Sequence, residues 1–137
     1  MIGILIVSHG AFGEALIHSA SHVLGKRPLQ VQQLGVALHD DPDKMLPQAR
    51  ELLRQLDTGD GVLVLTDMLG ATPSNIATRL LSPGRVEGLS GASLPMLIRA
   101  LTYRDEPLSA VVEKAMSGGH EGVVHLSSDV CNGANRD

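Results

Sequence analysis

His9 is the side chain in this sequence best placed to do covalent chemistry. The apolar run Ile2–Val7 ends at Ser8-His9-Gly10, and an amphipathic helical pattern opens at Phe12. A continuous apolar run of this length reads as a buried strand, which puts the imidazole at the strand's carboxyl end. In open parallel sheets ligands bind at that edge, because the chain leaves the sheet there and the next helix offers unpaired backbone N–H groups. A neutral imidazole in such a place is a nucleophile for a negatively charged electrophile, and phosphoryl is the commonest one. A lone strand-end histidine is more often a structural residue, so the assignment needs a second signal.

That signal is Thr66-Asp67-Met68-Leu69-Gly70-Ala71-Thr72-Pro73-Ser74-Asn75. Asp67 directly follows the apolar run Val62–Thr66, the topological counterpart of His9. If the two strands are neighbours, the side chains meet. A carboxylate accepting a hydrogen bond from one ring nitrogen fixes the tautomer, leaves the other lone pair free to attack phosphorus, and stabilises the positive charge that develops. Taken alone, Asp67 could simply cap its own loop. The small residues Gly10, Gly70 and Ala71 admit backbone N–H groups close to an anion. Thr72 is expected to cap the helix that Pro73 begins, with its hydroxyl or N–H within reach of a phosphoryl oxygen. Two helix amino ends would converge on one site and hold phosphohistidine without a metal or other cofactor.

The elements that must position these groups alternate. Strands are expected at Ile2–Val7, Leu29–Val36, Val62–Thr66 and Arg85–Leu89, with helices at Phe12–Leu24, from Pro42 to about Leu56, from Pro73 to Leu81, from Pro95, and from Pro107 to Met116. Phe12, Leu16, Ala20, Val23 and Leu24 are read as the buried stripe of the first helix, and Asp40-Asp41-Pro42-Asp43 as a capped helix start. Gly118-Gly119 is read as a helix stop. A last short strand, Gly122–Leu126, follows. The pattern predicts an α/β fold: an open, mostly parallel sheet with helices on both faces and a short C-terminal edge strand open to exchange in a dimer. Residues 1–126 form one domain and 127–137 a polar tail.

The 137 residues suit a single domain, and their apolar content falls in short runs rather than a membrane span. The start lacks a basic leader region, which points to a mature cytoplasmic protein. A net charge of −4 disfavours nucleic acid as partner. The single cysteine, Cys131, offers neither an internal disulfide nor a metal cluster.

SHGAFGEAL, GVLVLTDMLGATPSNIATRL, GASLPMLIRAL and GHEGVVHL resemble, in order and spacing across nearly all of residues 1–126, the EIIA component of the mannose family of the bacterial phosphoenolpyruvate:sugar phosphotransferase system. The resemblance implies a phosphotransferase that takes a phosphoryl group from the phosphohistidine of the carrier HPr onto His9 and passes it to an EIIB component for sugar uptake, or uses it as a regulatory signal. It implies Asp67 as the orienting acid, Thr72 as the phosphate-loop hydroxyl, a homodimer exchanging a strand near Gly122–Leu126, and membrane association only indirectly, through a permease complex. Two departures stand out. The family's sugar-transport members often carry Gly-Gly-Ser-Pro where this chain has Gly70-Ala71-Thr72-Pro73, and an aromatic where it has Leu69. The hydroxyl and the helix start are kept. No fused EIIB region is expected after the last strand.

Other features admit plainer readings. His18 and His22 have a metal-binding spacing but no evident third ligand, and the acids after His39 are accounted for by capping. Arg99 and Arg104 are expected on a helix surface, and Met96 in the core. Competing functions are a tetrapyrrole metal chelatase, which would need further histidines or acids at the same edge; a histidine phosphatase, which would want Arg where Ser8 stands; and a binding module that has lost phosphotransfer, against which His9 and Asp67 both speak.

Overall fold

The computed structural model describes residues 1–127. Cys131 and nearly all of the polar tail therefore lie outside the described residues. The chain folds in the order β1 (Gly3–His9), α1 (Phe12–Leu24), β2 (Val31–Val36), α2 (Pro42–Leu56), β3 (Val62–Thr66), α3 (Thr72–Leu80), β4 (Val86–Leu89), α4 (Leu94–Thr102) and α5 (Leu108–Glu121). The four strands form one sheet in the order β2-β1-β3-β4, and every pairing between them is parallel. β1 lies between β2 and β3, with Ile4 opposite both Val31 and Leu63. The chain goes one way from β1 to β2 and the other way to β3, so the crevice between β1 and β3 is the switch point of the sheet.

Burial on both faces explains the lack of alternation in β1 and β3. Ile4, Ile6, Leu63 and Leu65 join α1, α4 and α5 in one cluster, whereas Leu5, Val7, Val62 and Val64 join α2 and α3 in another. Each fully buried Leu or Ile contributes about 1.5–3 kcal/mol of transfer free energy. The sheet is consequently the rigid base of whatever stands at its ends. Asp41 caps α2, accepting from the Asp43 N–H at 3.0 Å, and Ser93 caps α4.

Three expectations about this scaffold need correction. No strand forms over Gly122–Leu126: these residues are exposed and join no strand of the sheet among the described residues. Gly118-Gly119 does not stop a helix, because α5 continues to Glu121. These glycines serve close approach instead, since a Cβ on Gly118 would lie 2.7 Å from the Cβ of Arg99. The stripe of α1 is also rotated. Gly13, Leu16, Ile17 and Ala20 are buried, while Phe12, Val23 and Leu24 are exposed. The helix meets the sheet through Gly13, whose missing Cβ would stand 3.0 Å from Gln33 and 3.1 Å from Ser8 Oγ.

Arg104 also departs from expectation. It follows α4 rather than lying on it, and is only 7% exposed. Its guanidinium donates to the carbonyls of Ile2, Leu29 and Gln30, tying together the starts of β1 and β2. Arg99 pairs with Glu121 at 3.0 Å, and Met96 is buried in the core.

Candidate phosphoryl-transfer site

Because β1 and β3 are neighbours, the residues at their carboxyl ends are brought together. His9 is the last residue of β1, one turn of chain before α1, and Asp67 follows the last residue of β3. One carboxylate oxygen, Asp67 Oδ2, accepts from the His9 backbone N–H at 3.0 Å and lies 2.8 Å from His9 Nδ1. The backbone contact locates the carboxylate against the end of β1, and the Nδ1 contact orients the ring. The side chain of His9 is 53% exposed and that of Asp67 14%. The nucleophile candidate therefore faces solvent while its partner is mostly sheltered.

Burial pushes the Asp67 carboxyl up, but the His9 N–H and the His9 ring together outweigh it and hold the group below the usual aspartate value. Asp67 is thus ionised near neutral pH and can only accept. A carboxylate that can only accept calls for the proton of the shared bond on Nδ1, and in the neutral ring Nε2 then carries the lone pair, directed away from the carboxylate.

Two helices begin at this edge. Neither α1, with Ala11 at its cap, nor α3, with Ala71 at its cap, receives a side-chain cap. Their first-turn N–H groups are thereby left for an anion. Among the described residues no group of three or more His, Cys, Asp or Glu is placed to hold a metal ion. His18 and His22 stack edge-on on the exposed side of α1 with centroids 5.1 Å apart.

The model of the EIIA-man family, described as PTS system fructose IIA component, matches residues 3–116. The chain belongs to this family. It is 32% identical over 130 residues to the mannose-specific EIIAB component of Escherichia coli K12, covering 93% of this chain and 40% of that protein. The chain thus spans about two fifths of the length of that curated relative. Its fold matches the phosphotransferase system component EIIA of Streptococcus agalactiae with a TM-score of 0.81 at 28% identity, over 91% of this chain and 97% of that one. The IIA protein associated with the fucose utilization operon of Streptococcus pneumoniae shares the fold, with a TM-score of 0.81 at 24% identity over 93% and 95% of the two chains. As an EIIA-man member the chain is a component of the phosphotransferase system, and the chelatase alternative finds no support in these likenesses.

In this EIIA-man chain the loop residues divide. The Gly10 N–H donates to Val36 O at 3.0 Å and the Gly70 N–H to Ser74 Oγ at 2.9 Å, so both amides already have partners. Ala71 and Thr72 remain at the open end of α3. Thr72 is not the cap; it is the first helical residue, with the cap position taken by Ala71.

Ser74 belongs to the run from Thr66 to Asn75, but the sequence assigned it no role. Buried in the first turn of α3, it accepts from Gly70 and donates to Ala71 O, holding the loop in shape. A serine four positions after a loop glycine was the available sign. Gly35 was missed too. A Cβ there would lie 2.4 Å from Gly10 O, so only glycine lets β2 support the turn after His9.

Proposed function

We propose that this chain is a phosphocarrier of the phosphotransferase system whose phosphoryl group resides on His9. The observation that carries the reading is the 2.8 Å contact between His9 Nδ1 and Asp67 Oδ2, which makes Nε2 the free nucleophilic nitrogen of an exposed ring. Nε2 attacks the phosphorus of a donor phosphohistidine in line, the new N–P bond forms as the donor's breaks, and the electron pair of the broken bond returns to the donor nitrogen. Asp67 keeps the Nδ1 proton and balances the ring's positive charge. The amides at the starts of α1 and α3, together with Thr72, hold the phosphoryl oxygens. Onward transfer reverses the geometry toward an acceptor nucleophile.

Phospho-HPr is the donor this reading assigns, and an EIIB component or a regulatory target the acceptor. The Escherichia coli relative, named as a mannose-specific EIIAB component, supports EIIB as acceptor. The carrier works in the cytoplasm, meets the membrane only through a permease complex, and forms a homodimer. Among the described residues no helix is long and apolar enough to cross a membrane.

The test is incubation with phosphoenolpyruvate, enzyme I and HPr followed by intact mass. One acid-labile phosphoryl group should appear on the protein and be absent from His9→Ala. Labelling that persists in His9→Ala, or no labelling of the unaltered chain, would overturn the assignment.

A further inference from the structure

We propose that the opposite edge of the sheet carries a second binding site, for an aliphatic carboxylate. A cavity of about 500 Å3 opens there between the end of α1, the start of β2 and the turn after α4. That size lies within the range of small-molecule pockets. Leu24, Leu29 and Leu101 form its walls, and Lys26, Arg27 and Arg104 also line it. It lies at the amino ends of the strands, a full strand length from His9.

Cationic and apolar side chains combine around this cavity. The chain carries a net charge of −4, yet three of its 11 Lys and Arg residues line this one cavity. Leu24 is 41% exposed and Leu29 75%. Arg27 pairs with Glu14 at 3.0 Å across the surface, while Lys26 has no ion-pair partner among the described residues.

Arg104 is the deciding residue. Although 7% exposed, it spends all four of its hydrogen bonds on carbonyl oxygens of Ile2, Leu29 and Gln30, and none on a carboxylate. Neutral acceptors satisfy its N–H groups without neutralising its charge. Burial accordingly weakens its hold on the proton, and the neighbouring Asp105 opposes this only through space. Nη1 carries two N–H groups and makes a single bond, to Leu29 O at 2.6 Å. In this proposal the second serves as the donor for an anion that enters the cavity.

The walls select the rest of the ligand. No aromatic ring lines the cavity, so a flat ring system would find nothing to stack on, whereas a flexible alkyl chain fits leucine side chains. A carboxylate head on Arg104 and Lys26 with its tail along Leu24, Leu29 and Leu101 satisfies charge and surface together. Such a ligand would clamp the starts of β1 and β2 against the turn after α4 and raise the stability of the folded chain.

The experiment uses the full chain and decanoate below its micelle concentration, with decanol as the uncharged control. Amide NMR shifts should saturate and map to residues 24–29 and 101–104, and the thermal midpoint should rise with decanoate. Decanol should bind at least about tenfold more weakly, as should decanoate to the Lys26→Glu/Arg27→Glu double variant, which leaves the buried Arg104 in place. His9→Ala should bind decanoate as the unaltered chain does. Equal binding of decanol and decanoate, shifts centred on the His9 edge, or no saturation would each overturn the proposal. So would retention on phosphatidylglycerol vesicles without saturable decanoate binding, which would assign the patch to a lipid surface instead.

Discussion

His9 and Asp67, 58 residues apart in sequence, share one oxygen: Asp67 Oδ2 takes both the backbone N–H and the ring nitrogen Nδ1 of the histidine, at 3.0 and 2.8 Å. A double attachment to a single atom restrains the ring more than either bond would. It also joins the end of β1 to the end of β3 without any atom of the loop between them.

Asp67→Asn should slow phosphoryl acceptance by about 10²- to 10³-fold while the fold persists, because the amide neither balances the ring's positive charge nor enforces the Nδ1–H tautomer. Rapid-quench phosphorylation by phospho-HPr measures this. An unchanged rate would remove Asp67 from the mechanism.

Asp67 and Asp57 both sit below the usual aspartate value. For Asp57 the Gly59 N–H is the largest cause, and burial opposes it. A carboxylate with a depressed folded-state pKa contributes stability that is fully present above its unfolded pKa of about 3.9 and is lost as pH falls through the lower folded value. Urea unfolding should therefore show these contributions intact down to about pH 5 and declining below about pH 4. The Asp57→Asn variant should lose less stability over that acid range than the unaltered chain.

Gly35→Ala places a Cβ 2.4 Å from Gly10 O. Relief requires the turn after His9 to move, so the substitution should destabilise by about 1–3 kcal/mol and slow phosphorylation as well. Gly118→Val should destabilise by a similar amount, about 1–3 kcal/mol, since its Cβ meets Arg99, but should leave the phosphorylation rate unchanged. Urea midpoints and phosphorylation rates on the pair separate a clash at the site from one distant from it.

Val123, Val124 and Leu126 are 86%, 51% and 79% exposed, and among the described residues β4 has one edge with no strand beside it. Exposed apolar residues and an open sheet edge each favour pairing with a second copy. Light scattering should find the full chain dimeric and a chain ending at Gly122 monomeric; a dimer that survives the truncation would place the contact elsewhere.

Most of the fold was legible because its signals are local. Continuous apolar runs located β1 and β3, and Asp41-Pro42 marked the start of α2 within a few residues. His9 and Asp67 were legible as strand-end residues for the same reason. The errors have the opposite character. Gly118-Gly119 looks like a stop when read alone and becomes a contact surface once α4 lies against it. Arg104 looks like a surface cation until three carbonyls distant in sequence surround it. Phe12 and Val23 fit a helical stripe, but Gly13 sets the rotation by admitting the helix to the sheet.

The order of residues determined which groups stand at strand ends, since hydrophobic periodicity and caps are written within a few positions of one another. Only the tertiary structure decided that β1 and β3 are neighbours, that one Asp67 oxygen holds His9 twice, that the Gly10 and Gly70 amides are already taken, and that Gly122–Leu126 form no strand with the described residues. These outcomes depend on distances between segments far apart in sequence, which are set by how the two faces of the sheet are packed and not by any local pattern.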